Sequence, residues 1–171
     1  MHKVLESGGI IRVQTWNSDA DTPATLEQMI GTAWPRKVGL SATGHVEVLC
    51  TGPTEWWLIA DGPDVVALLT RLEAACERSA FRATDLSHAF ARLEIEGTES
   101  RMLLAKGCAL DLHPSRFPSG RCTRTRLADM PVIVRCVQDS IFQCIVASSC
   151  RHYLLSWLSD AAVEFSNSTI E

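Results

Sequence analysis

The chain reads as an α+β protein made of two small ferredoxin-like mixed α/β lobes with antiparallel sheets. Three observations predict this. Short β-branched runs alternate apolar and polar residues, helical stretches between them place apolar residues at i, i+3 and i+4, and Gly, Pro and Asp punctuate nearly every junction. In the first half, Ile10 to Trp16 alternates Ile11 and Val13 against Arg12 and Gln14, a strand. Thr22-Pro23 opens a short helix through Met29-Ile30, and the stretch from Gly31 to His45 is loop-like. Val46 to Cys50 and Glu55 to Ile59 form a hairpin around Thr51-Gly52-Pro53-Thr54. Asp61-Gly62-Pro63-Asp64 starts a helix with Val65, Leu68, Leu69, Leu72, Ala75 and Cys76 on one face, and Phe81 to Leu86 returns as a strand. The order β-α-β-β-α-β is that of a ferredoxin-like lobe.

In the second half, Ala91, Leu93 and Ile95 alternate with Arg92, Glu94 and Glu96, a strand with one wet face. Thr98-Glu99 caps a helix that points Leu103, Leu104 and Cys108 inward and breaks at Asp111-Leu112-His113-Pro114. Strands follow at Arg121 to Leu127, Val132 to Val137 and Phe142 to Ala147. The last helix starts near Ser148-Ser149 and buries Leu154, Leu155, Leu158, Ala161 and Phe165, and the tail from Ser166 to Glu171 is expected to fray. Lobes over 1–84 and 85–171 are the natural division.

Composition narrows the function. The 171 residues, 46% apolar and 21% charged, are those of an ordinary globular protein. No apolar run approaches the ~20 residues that cross a bilayer, and Met1 to Gly9 holds no signal-peptide core, so a cytoplasmic protein without a membrane partner is expected. A net charge of −4 gives no general attraction for nucleic acid. Seven cysteines, an odd count without a Cys-x-x-Cys pair, read as reduced, buried thiols. Cys144, Cys150 and His152 match no zinc spacing, and no metal site is expected. The glycines form neither Gly-x-Gly-x-x-Gly nor a P-loop, which disfavours flavin or nicotinamide binding by this chain.

Four stretches stand out: Gly52-Pro53-Thr54-Glu55-Trp56-Trp57-Leu58-Ile59-Ala60, Asp85-Leu86-Ser87-His88, Lys106-Gly107-Cys108-Ala109-Leu110-Asp111-Leu112-His113-Pro114, and Gly120-Arg121-Cys122-Thr123-Arg124-Thr125-Arg126-Leu127-Ala128. In this order they resemble the γ subunit of heterotetrameric sarcosine oxidase. The resemblance implies a fold like the N-terminal part of the folate-binding glycine cleavage T-protein, and a noncatalytic place in a complex that oxidatively demethylates sarcosine or a related N-methyl amine. It also implies that the complex passes the one-carbon unit to tetrahydrofolate and reduces oxygen to peroxide. Its partners would be a large α subunit with dinucleotide and folate sites, a flavin-carrying β subunit and a small zinc-binding δ subunit. FAD, FMN, NAD, tetrahydrofolate and zinc would then all sit on other chains, with no cofactor here.

Asp111 is the one catalytic candidate, because the T-protein uses an aspartate after the equivalent helix for its folate-linked chemistry. The competing reading is a free-standing folate-binding or aminomethyltransferase-like protein working through Asp111; a third is a decayed relative acting as a binding module. Against work by Asp111, Ala128-Asp129-Met130-Pro131 stands where the T-protein has Gly-Gly and paired aspartates. The simpler reading makes Asp111 a turn or cap residue whose carboxylate accepts backbone N–H groups. Lys106-Gly107-Cys108 also resembles the start of a motif in a folate-binding T-protein relative implicated in iron–sulfur maintenance, but the continuation differs. Gly107 ending a helix and Cys108 packing is the simpler account. His88 and His113 are expected to be hydrogen-bonded structural histidines. Arg116, Arg121, Arg124 and Arg126 crowd four guanidinium groups into one stretch, with Arg124 and Arg126 on one strand face, a solvated surface or a partner interface. Trp56 and Trp57 point to opposite sides of their strand, so one is expected to face out or into a partner.

Overall fold

The computed structural model describes residues 2–5, 8–16, 21–61, 64–76 and 80–166. They fall into two compact units, Ser7–His88 and Met1–Glu6 with Ala89–Glu171.

The Ser7–His88 unit contains β2 (Gly9–Thr15), α1 (Asp21–Ile30), the two-residue β3 (Ser41–Ala42), β4 (Glu47–Gly52), β5 (Glu55–Ala60), α2 (Asp64–Cys76) and β6 (Phe81–Asp85). β1 (His2–Leu5) precedes them in the chain and belongs to the other unit. The sheet order β3-β4-β5-β2-β6, antiparallel throughout, is the ferredoxin-like order with β3 added at the edge. Period-two alternation delivers Ile11, Val13, Val48, Cys50, Trp56 and Leu58 to one core, which Leu26 and Ile30 of α1 and Leu68 and Leu72 of α2 complete. Ile10, Leu49, Trp57 and Ile59, on the opposite face, are buried as well.

The second unit holds β1, β7 (Phe90–Glu96), α3 (Ser100–Ala105), β8 (Cys122–Leu127), β9 (Met130–Gln138), β10 (Ile141–Ala147) and α4 (Arg151–Ser166), the last entered through a 3-10 turn at Ser148–Cys150. Its sheet, order β1-β7-β10-β9-β8, is also antiparallel, but a β8-β9-β10 meander returns to pair with β7, so the ferredoxin-like strand order belongs to the other unit alone. Leu93, Ile95, Leu104, Val134, Phe142, Cys144, Leu154 and Leu158 form the core.

The division therefore differs from 1–84 and 85–171 at both ends. His2 to Leu5 pair with Leu5↔Arg92 through His2↔Ile95, so the amino-terminal strand joins the carboxy-terminal unit, and the boundary falls after His88. Three local expectations also change. α3 ends at Ala105, because the Gly107 carbonyl accepts the Ala128 N–H (3.0 Å) and Trp157 packs where a Gly107 side chain would stand. Its N-terminus carries no side-chain cap; the Ser100 N–H bonds the Gly97 carbonyl instead. Arg92, expected on a wet face, is buried in a row with Ile145 and Ile133, both buried too. Residues 167–171 of the tail expected to fray lie outside the described residues.

Candidate functional site

The four motif stretches become four local devices. In the first, Glu55 opens β5 and its carboxylate collects donors: Oε1 accepts from Thr51 Oγ1 (2.9 Å) and Trp57 Nε1 (2.8 Å), and Oε2 from Gln14 Nε2 (3.4 Å). Trp56 goes the other way. Its Nε1 donates to the Pro35 carbonyl (2.8 Å) and its ring packs on Trp34, centroids 5.3 Å apart. Both tryptophans are buried, at 5% and 4% exposure, so the expectation that one faces outward is corrected. A buried indole needs an acceptor for its N–H, and each of these has found one inside its own unit.

In the second device, Asp85 closes β6 as an Asx turn. Its Oδ1 accepts from the Ser87 N–H (2.9 Å) and hydroxyl (2.5 Å), while Ser87 Oγ accepts the Ile10 N–H (3.1 Å) and so ties the turn to β2. Those Ser87 hydrogen bonds hold the Asp85 carboxyl below its usual value. The sign follows directly: the carboxylate's contribution to stability is present above its unfolded pKa and is lost as pH falls. His88 is exposed.

The third device is the segment from Gly107 to Phe117. Asp111 is exposed, and its Oδ1 accepts the His113 N–H (3.0 Å), the turn geometry read from the sequence. The His113 carbonyl accepts the N–H groups of Arg116 (2.8 Å) and Phe117 (2.9 Å). His113 Nδ1 meets Ser115 Oγ (2.8 Å) and accepts the Ser115 N–H (3.3 Å). Leu112 and Phe117, buried at 5% and 3% exposure, anchor the segment in the core.

Arg101 organises this segment from α3, and sequence reasoning missed it. Its Nη1 donates to the carbonyls of Leu112 (2.5 Å) and Phe117 (3.0 Å), its Nε to the Asp139 carbonyl (3.1 Å), and its Nη2 lies 3.5 Å from the Asp139 carboxylate. The guanidinium also stacks over Phe142 at 4.9 Å. One planar fork thereby joins a helix, a loop and the β9–β10 hairpin, a job lysine's point charge does less well. No local pattern announces it, since Arg101 looks like any helix-surface arginine until the loop folds back on it.

The fourth device carries the arginines. Pro118 to Arg121 make a turn closed by Arg121 N–H to Pro118 O (3.1 Å), with Gly120 at φ 81°. The Gly120 N–H then bonds the Cys136 carbonyl while the Cys136 N–H bonds the Arg121 carbonyl, both at 2.9 Å, the pattern of a G1 bulge that only glycine adopts freely. After the bulge, Arg124 and Arg126 share the face opposite the core residue Leu127, and both are exposed. Arg126 is already engaged at the β8–β9 hairpin, its Nη2 reaching the Asp129 carbonyl at 2.6 Å and the Asp129 carboxylate at 3.8 Å. Arg121 is half-buried with its Nε lacking a hydrogen-bond partner among the described residues, and Arg116 sits on the exposed 113–117 turn. The structure thus keeps Arg124 and Arg126 together and sends Arg116 and Arg121 elsewhere.

Among the described residues no group of three His, Cys, Asp or Glu is placed to hold a metal ion. Cys144, wholly enclosed beside Cys108, is pushed up to about 12 by burial first and by that neighbour second, an inert thiol. A cavity of about 490 Å³ opens between Ile95, Ser100, Leu103, Ala162 and Phe165, and Asp111 is not among its lining residues. No helix among the described residues is long and apolar enough to cross a membrane.

A family model described as the sarcosine oxidase, gamma subunit family matches residues 15–164. The sarcosine oxidase subunit gamma of Corynebacterium sp. (strain P-1) is 33% identical over 150 residues, 86% of this chain and 72% of that protein. The Arthrobacter sp. protein of the same name is 32% identical over 149 residues, again 86% and 72%. Among solved structures, the heterotetrameric sarcosine oxidase from Corynebacterium sp. U-96 in complex with pyrrole 2-carboxylate superposes with a TM-score of 0.89 and 28% identity, covering all of this chain and 87% of the matched one. The glycine cleavage system aminomethyltransferase T from Bartonella henselae superposes with a TM-score of 0.67 over 92% of this chain and 44% of its own, at 12% identity, a likeness of fold.

Proposed function

Because this chain belongs to the sarcosine oxidase γ subunit family, we propose that it serves as the noncatalytic γ subunit of a heterotetrameric oxidase. The observation that carries this reading is the likeness, along the whole chain, to a subunit of a solved heterotetrameric sarcosine oxidase. The motif chemistry agrees with it. Glu55, Asp85, Asp111 and Arg101 each hold a turn, a hairpin or a loop of their own unit, and none of them lines the cavity beside Ile95 and Phe165.

In this proposal the complex oxidatively demethylates sarcosine or a related N-methyl amine and hands the one-carbon unit to tetrahydrofolate in the cytoplasm. The α, β and δ chains supply FAD, FMN, NAD, the folate site and zinc. Asp111, the carboxylate that folate chemistry would use, is exposed and turned onto the His113 N–H, and the proposal routes no reaction step through this chain. Its work is to present a rigid surface to the other subunits.

Co-expression with the other three subunits tests this. The chain is expected to co-purify in fixed ratio with them, and on its own to show no visible flavin absorbance. Stoichiometric flavin on the isolated chain, or a fully active complex assembled without it, would overturn the reading.

A further inference from the structure

We infer that the cavity lined by α3 and α4 is a binding site for a small monocationic amine with an apolar body, a site that stands apart from the subunit reading above. Its walls are largely apolar. Ile95 of β7 and Leu103 of α3 are buried, at 0% and 4% exposure, and Ala162 and Phe165 of α4, both partly buried, add a second wall. At about 490 Å³ the cavity has the size usual for a small-molecule site.

The charges that line it have one sign. Glu96 and Glu99, both exposed, are among the lining residues, and no lysine, arginine or histidine is. Lys106 comes near, its Nζ 4.6 Å from the centre of the Phe165 ring, but Glu164 meets its charge at 2.6 Å. Ser100, 3% exposed and also lining the cavity, has a hydroxyl without a hydrogen-bond partner among the described residues. An ammonium head suits this lining, because it brings a positive charge to carboxylates and N–H donors to a hydroxyl oxygen. A ligand carboxylate would meet only like charge, which argues against anions and against zwitterionic amino acids.

The loop that carries the glutamates is held before any ligand arrives. Glu96 pairs with Ile141 at the end of β7, and the Gly97 N–H bonds the Ser140 carbonyl (3.0 Å). The Gly97 carbonyl accepts the Ser100 N–H (3.1 Å), and the Glu99 carbonyl accepts the Leu103 N–H (2.8 Å). Backbone fixed in this way lowers the ordering cost of binding.

Calorimetric titration of the full chain with benzylammonium tests the site, with benzyl alcohol as the neutral isostere and phenylglycine as the zwitterion. Saturable, stoichiometric binding of benzylammonium is expected, and both controls should bind about tenfold more weakly or worse. Glu96→Gln/Glu99→Gln, two exposed changes that leave the apolar walls alone, should lose about tenfold in affinity at unchanged thermal midpoint, and the loss should shrink in high salt. Ala162→Leu, which adds bulk to the α4 wall and keeps both carboxylates, should weaken binding of the amine as well. No saturable binding, equal affinity for benzylammonium and benzyl alcohol, or unchanged affinity in the double glutamine variant overturns the site.

Discussion

The β4–β5 hairpin and the 113–126 segment both looked like binding surface, one for its paired tryptophans and the other for its arginines, and they met opposite ends. Trp56 and Trp57 are absorbed on the two faces of their sheet because each indole N–H has an internal acceptor, the Pro35 carbonyl for one and the Glu55 carboxylate for the other. The arginines diverge among themselves. Arg126 is satisfied by its own hairpin, Arg121 is half-buried, and Arg116 stands on the surface of a fastened turn. What sets the tryptophans apart is that an acceptor for each indole N–H lies within their own unit, so both rings go in, whereas the arginine that stands on the 113–117 turn stays at the surface.

Breaking the hairpin side should have the largest effect. Trp56→Ala removes a buried ring packed at a tilt against Trp34, and a loss of about 3–5 kcal/mol is expected, read as an earlier midpoint in urea with an unchanged slope. A loss under ~1 kcal/mol would mean that the ring is dispensable to the core and that the contrast with the arginines fails. Glu55→Ala is a smaller and sharper probe, since it strands the Trp57 N–H and the Thr51 hydroxyl. About 1–3 kcal/mol is expected. Glu55→Gln, which keeps an acceptor oxygen, should restore most of it; equal losses in the two variants would show that charge rather than acceptance is what counts.

How far the sequence revealed these outcomes depends on how local the deciding contact is. Helix faces were legible, and Leu154 and Leu158 of α4 and Leu68 and Leu72 of α2 are buried where periodicity put them. β1 was not, because His2 to Leu5 has no strong pattern and its partner strand lies some ninety positions away. The sequence pattern places β9 at Val132 to Val137, after a proline that cannot donate to a ladder. It starts at Met130: the Cys136–Arg121 bond sets the ladder so that the N–H position of residue 131 points away from β8, and the β10 ladder reaches only to Val132. Ala128 and Asp129, with φ of 48° and 63°, make a type I′ turn without glycine, a choice that local propensity disfavours and the Arg126–Asp129 contacts support. Within the candidate site, Asp111 as a turn residue was readable from its type and position. The Trp57–Glu55 bond and the Arg101 fork were not, because each depends on which face is buried or on a loop that returns eleven to sixteen residues later.

The smallest expected effect on folding lies at Arg124 and Arg126. Exposed charges on a strand contribute only ~0–1 kcal/mol, and the Arg126 contacts to Asp129 are themselves solvent-exposed, so an Arg124→Ala/Arg126→Ala double variant should keep its thermal midpoint within a few degrees. Its assembly is the informative readout. If this face meets the large subunit, loss of a buried charged contact costs about 2–5 kcal/mol, felt chiefly as faster dissociation, and the variant should no longer co-purify at moderate salt. Unchanged co-purification of the double variant would return both residues to the solvated face, whereas a collapse in stability would mean that the partners of these arginines lie within the chain.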